Sequence, residues 1–175
     1  MTSPITRIAE LIERHVGLKK TRVESVAREL QLAGTLPKGA PGRAPEFNRA
    51  DAITLLIAVA TGAKLEDVTG ATRAALATTP GGANVDCAPL RIPRTAEIQL
   101  AVLAGMAAEG DTLDEVTLDV AHGWPEITLA WADGITHRFQ AAGSVANQQP
   151  SNKARIATTI PGSAFAAFIK EADRG

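Results

Sequence analysis

Apolar periodicity places this chain in the α+β class: a helical N-terminal domain built on a helix-turn-helix, then a small antiparallel β-meander with flanking helices. Three observations predict it. Ahead of Gly110, apolar residues recur at helical spacing in every segment outside the loops. Beyond Gly110 the period drops to two. Between them, residues 79–91 have no period and hold Pro80, Gly81, Gly82 and Pro89, the composition of a linker. The expected division is a domain over residues 1–78, a linker over 79–91 and a second domain over 92–175.

Pro4 suits the first helical position after a Thr2 or Ser3 cap, and Ile5, Ile8, Leu11 and Ile12 then share one face of a helix that Gly17 ends. Thr21-Arg22-Val23-Glu24 reads as a capping box for a second helix, with Val23, Val26, Ala27 and Leu30 inward and Gly34 as its stop. Gly17-Leu18-Lys19-Lys20 is the short glycine-containing turn of a helix-turn-helix. Residues 35–47 contain Pro37, Pro41, Pro45, Gly39 and Gly42, which forbid a helix and predict a loop carrying Lys38 and Arg43. Asn48 caps a third helix, apolar nearly all round through Ile53, Leu55, Leu56, Ile57 and Val59, as a helix at the centre of a core would be. Gly62 ends it, and a fourth helix is expected over 65–77.

A further helix over 94–109 is expected to turn Ile98, Ala101, Val102 and Met106 inward. Val116, Leu118 and Val120, then Ile127, Leu129 and Trp131, then Ile135, His137 and Phe139 alternate with polar residues, and turns at 122–125 and 132–134 separate them into a three-stranded meander. Ile156, Thr158 and Ile160 offer a fourth strand. Pro161 then opens a last helix whose Phe165, Phe168, Ile169 and Ala172 face the sheet.

Composition excludes several function classes. With 45% apolar and 21% charged residues the chain is globular and not disordered. No run reaches the roughly 18–20 apolar residues of a membrane span, and no basic-then-apolar leader opens the chain, so a cytoplasmic protein without membrane attachment is expected. A single Cys87 and scattered His15, His122 and His137 have no zinc spacing, and no cofactor or metal is expected. Neither Gly39-Ala40-Pro41-Gly42 nor Gly81-Gly82 follows a strand, as a phosphate loop requires. Cys87 with His137, or Ser163 with a histidine, lacks any nucleophile motif, and Glu66-Asp67 and Asp114-Glu115 stand where acids serve helix or turn starts. No enzyme is expected.

Charge is unevenly distributed behind a net value of −1. Residues 1–49 hold nine basic against five acidic side chains, net +4, and residues 50–175 hold nine against fourteen, net −5. Such asymmetry suits a polyanion-binding segment beside a partner-binding one. A helix-turn-helix presents the leading residues of its second helix to base edges in the major groove while nearby cations hold phosphate. With Val23, Val26, Ala27 and Leu30 inward, the candidate DNA-facing residues are Lys19, Lys20, Thr21, Arg22, Ser25 and Arg28, with Lys38 and Arg43 gripping flanking phosphates. The plain alternative is a basic start to a helix in an ordinary helical domain.

Gly34-Thr35-Leu36-Pro37, then Lys38 and Arg43, then Phe47, then Asp51 opening Ala52-Ile53-Thr54-Leu55-Leu56, resembles the MerR-type winged helix. The same stretch is similar to uncharacterised proteobacterial prophage proteins with an Ala-Gly-x-Leu-Pro-x-Gly loop and an Asp-Ala-x-x-Leu-Leu-Ile-Ala helix. The likeness covers about 50 residues and departs from MerR proteins in its proline-rich wing, its lack of a Tyr-Tyr pair in the second helix and the absence of a long dimer helix. The resemblance implies a winged helix-turn-helix that binds double-stranded DNA, hence a phage- or prophage-type transcriptional regulator. Two readers per assembly, a homodimer, would then be needed for useful affinity. The alternatives are a phage-encoded interaction module, an inhibitor or adaptor docking on a host protein through the meander's edge, and a terminase small-subunit-like protein of DNA packaging.

Overall fold

The computed structural model describes residues 3–39, 45–86, 89, 92–144 and 154–174. Helix α1 (Pro4–Val16) begins as expected, with Ser3 Oγ accepting from the Thr6 N–H and Pro4 in the first turn, and ends at Gly17, whose φ of 82° lets its N–H close on the Ile12 and Glu13 carbonyls. Residues 17–19 turn the chain into α2 (Lys20–Leu32). The capping box expected at Thr21–Glu24 does not form: the N-cap falls two residues earlier, at Lys19, which makes no side-chain bond, and Glu13 Oε1 of α1 accepts from the Lys20 N–H at 2.9 Å. A carboxylate at a helix start satisfies an orphan N–H and the helix dipole together, so the neighbouring helix supplies the cap. A reciprocal capping box stands instead at Asn48 and Asp51, opening α3 (Arg49–Ala60).

Helix α3 is buried along most of its length, from Ala52 through Ala60 with only Thr54 half-buried. It is the hub of the fold, touching α2, α4 (Val68–Leu76), α5 (Ala96–Glu109), α6 (Gly162–Ala172) and the sheet. The sheet has five strands: β1 (Thr79–Pro80), β2 (Val116–Ala121), β3 (Glu126–Trp131), β4 (Thr136–Gln140) and β5 (Ala157–Pro161). Their order is β1-β4-β3-β2-β5 with every pair antiparallel. The expected meander and its extra strand are present. The additional strand β1 comes from the segment read as linker, where Thr79 pairs with Gln140.

One face of the sheet carries Leu118, Leu129, Ile127, Phe139 and Ile160 in mutual register and buries them under α3 and α6. These join Ile12, Leu30, Leu56, Leu100 and Phe168 in one hydrophobic cluster that runs from α1 to α6 without a break at residues 79–91. Each fully buried large side chain there contributes about 1.5–3 kcal/mol from leaving water. The opposite face, with Thr117, Asp119, Thr128, Arg138 and Thr159, is polar.

Helix α5 is turned differently from expectation. Leu100, Leu103, Ala104 and Ala107 are buried, whereas Ile98 is 46% and Val102 47% exposed, Ala101 is exposed and Met106 only half-buried. From Ile98 to Ala108 only Gln99 is polar, so periodicity offers no preferred side, and contact with α3 and α6 chooses the Leu100–Leu103 side. Ile135 and Ile156, placed in strands by alternation, lie just outside them and are exposed. The described part of residues 35–47 contains no strand; residues 40–44, with Arg43, lie outside the described residues, as does Cys87. No described helix is long and apolar enough to cross a membrane.

Candidate nucleic-acid interface

Burial of Val23, Val26, Ala27 and Leu30 against α1 and α3 fixes the rotation of α2 and leaves Thr21, Ser25, Arg28 and Leu32 as an exposed stripe on its far side. The candidate residues divide into two groups. The side chains of Lys19 and Arg28 are exposed and make no hydrogen bond or ion pair among the described residues. Thr21 is exposed, and its carbonyl accepts from Ser25 Oγ at 2.9 Å, so the Ser25 hydroxyl is folded back on its own helix while keeping its lone pairs toward solvent.

The second group is held by the protein itself. Lys20 Nζ lies 2.8 Å from Glu10 Oε1, and that hydrogen bond, with the charges of Glu10, Glu24 and Glu13, holds its ammonium above the usual lysine range. Arg22 Nη2 donates to the Ala63 carbonyl beyond the end of α3, which turns the guanidinium away from the exposed stripe. Lys38 Nζ donates to the Leu32 carbonyl at 3.2 Å and so caps the end of α2. The structure leaves Thr21, Ser25 and Arg28 together on the exposed side of α2, with Lys19 exposed at its N-cap, and does not bring Arg22 there. Glu13 occupies the leading N–H of α2.

Part of the basic excess of residues 1–49 is matched inside the fold. Arg7 Nη2 donates to the Glu171 carbonyl at 2.7 Å, and Arg14 and His15 lie 3.1 and 3.2 Å from the Glu171 carboxylate. Arg49 forks onto Asp173, with Nε 2.9 Å and Nη2 2.5 Å from Oδ2, and this bond raises its pKa further above the ordinary arginine value. The acids of α6 thus receive the bases of α1 and α3. Opposite charges in the two halves of a sequence signal this docking as well as they signal a polyanion site, and only contacts separate the two.

Two sites escaped the sequence reading. On the polar face of the sheet, Glu126 is 2% exposed, with Arg155 Nη2 at 2.7 Å and Arg138 Nε at 3.3 Å from its Oε1 and Gln140 Nε2 donating to its Oε2 at 3.0 Å. The four line or adjoin a cleft of about 400 Å³ that also holds Asp119, bonded at 2.5 Å to Thr159 Oγ1. The signal was present as charged residues at alternate positions of paired strands, but alternation reports only the side, not depth. A second cleft, about 390 Å³, lies between the loop after α3 and the β2–β3 turn, lined by Ala63, Ala71, Ala74, Trp124 and Pro125; the Trp124 indole N–H there is shielded and has no hydrogen-bond partner among the described residues. Among the described residues no three His, Cys, Asp or Glu side chains gather into a metal site.

No protein-family model matches this chain, and neither a curated protein nor a solved structure does. The fold and the side chains carry the functional argument alone.

Proposed function

We propose that the chain binds double-stranded DNA through the exposed stripe of α2 and acts as a transcriptional regulator of the phage or prophage type. The observation that carries this reading is the pairing state of the cations. Lys19 and Arg28 stand exposed and uncommitted beside Thr21 and Ser25, whereas Lys20, Arg22 and Arg49 are engaged internally. Arg28 on the outer face, with Ser25 and Thr21 one and two turns before it, is the reach a base edge demands, and Lys19 is placed for phosphate. The helix-turn-helix reading of α1 and α2 and the wing with Lys38 and Arg43 that the resemblance implies belong to this proposal.

Lys19 and Arg28, the uncommitted cations of α2 and its N-cap among the described residues, support only weak binding at cellular salt, so the reading requires more than one copy on the duplex. Fluorescence anisotropy of a labelled duplex, titrated with the full chain at several salt concentrations, tests it. Binding that weakens with salt and drops about 5- to 150-fold in Arg28→Ala supports the proposal, and absence of binding to any duplex rejects it.

A second reading is favoured by one observation. Strand β5 ends the sheet order with no strand on its outer edge among the described residues, and Ile156 just ahead of it is 66% exposed. An edge of that kind accepts a strand from another protein. In this reading the chain is an interaction module, and Ile156→Lys abolishes its complex with a host protein while leaving DNA binding unchanged.

A further inference from the structure

We propose that the exposed face of α5 is where two copies of this chain meet, paired antiparallel about a twofold axis between Ala101 and Val102. The inference does not rest on DNA binding. A helix apolar all round is normally covered on every side, yet α5 leaves Ile98 and Val102 about half exposed, with Ala101 exposed and Gly105 half-buried on the same stripe and Ile92 45% exposed just ahead.

Shape and charge both favour a second copy as the occupant. An antiparallel pair about this axis sets Ile98 opposite Gly105 of the other copy, and a methyl group added at Gly105 would meet no atom within 4 Å, so the position is an open socket for a branched side chain. The ends complement one another. Arg94 and Glu97 stand at the start of α5, and Glu109 stands at its end, where Ala108 and Gly110 share a shallow cleft with Lys170 and Arg174. Arg94, Glu97, Lys170 and Arg174 have no partner among the described residues; Glu109 feels the charge of Arg49, whose guanidinium is bonded to Asp173. Antiparallel pairing brings Arg94 to Glu109 and Glu97 to Lys170 and Arg174 at both ends, and opposes the two helix dipoles; the exposed Asp111 lies just past the same cationic end. A parallel pair would stack Arg94 on Arg94 and Glu109 on Glu109.

Sedimentation equilibrium of the full chain without DNA tests the inference. A dimer at micromolar concentration is expected, with Arg94→Glu or Glu109→Arg alone raising the dissociation constant roughly tenfold or more and the two together restoring it. Val102→Glu is expected to yield a monomer with an unchanged circular dichroism spectrum. A wild-type chain that stays monomeric, a dimer indifferent to Val102→Glu and to the charge exchange, or a ring of more than two copies overturns it.

Discussion

Arg22 Nη2 donates to the carbonyl of Ala63, tying the first turn of α2 to the loop that leaves α3. A side chain that sequence position offers to a ligand is thereby a structural tie, and it separates the two effects that arginine replacements on α2 should have. Arg22→Ala is expected to lower stability by about 1.5–2 kcal/mol, the range for a partly buried hydrogen bond to a charged donor, measured as a shift of the urea midpoint. DNA affinity measured well below the unfolding transition should change little.

Arg28→Ala is expected to do the reverse. An exposed side chain without partners costs at most about 0.5 kcal/mol of stability when removed, whereas loss of a base contact costs about 1–3 kcal/mol of binding. Lys19→Ala should weaken all duplexes alike and reduce the slope of log K against log salt by about one unit. Parallel melting curves and anisotropy titrations on the two variants check both statements.

Glu126 is held between Arg138 and Arg155 at almost full burial. Glu126→Ala leaves two guanidinium groups facing each other without their shared carboxylate. Because both arginines are about a quarter exposed, the cost is expected below the buried-pair range, at about 2 kcal/mol. Glu126→Gln, which keeps the hydrogen bond with Gln140 and the shape, should cost less; chemical denaturation of the two variants orders them.

Lys20 is expected to titrate above the ordinary lysine value of 10.5, because Glu10 accepts a hydrogen bond from its ammonium. Its folded pKa is raised, so the stabilisation is fully present below the unfolded value and disappears as pH climbs through the folded one; the affected window is alkaline, above 10.5. Carbon NMR of reductively methylated protein should show one lysine titrating late, and Glu10→Gln should return it toward the others.

Two helical glycines should behave oppositely. A Cβ at Gly162 would lie 2.0 Å from the Leu113 carbonyl oxygen and 2.6 Å from that of Val116, so Gly162→Ala must push α6 off β2 and is expected to cost about 3 kcal/mol. Gly70 in α4 has open space at that position, and Gly70→Ala should stabilise by about 0.5–1 kcal/mol. Thermal unfolding of the pair separates the two signs.

What was legible in the sequence was whatever depends on neighbours along the chain. Ser3, Pro4 and Gly17 bound α1 as their chemistry dictates, Asn48 caps α3, and alternation from Val116 to Leu129 marks β2, β3 and their buried side. What depends on distant partners was not. Glu13 displaced a sound local cap at Thr21, contact with α3 and α6 chose the buried face of α5, and Glu171 and Asp173 absorbed charge that composition offered to a polyanion. Of the candidate interface, the outward face of α2 was legible from the inward one, and the diversion of Lys20 and Arg22 was not, since Glu10 and Ala63 meet them only in the fold.

The most direct test of the account is the salt dependence of duplex binding by the wild-type chain and by Arg28→Ala and Arg22→Ala side by side. Binding is expected to fall steeply with salt in the wild type and in Arg22→Ala, and to be severely weakened in Arg28→Ala. Binding that needs Arg22 but not Arg28 in a folded protein, or no binding by the wild type at low salt, would contradict it.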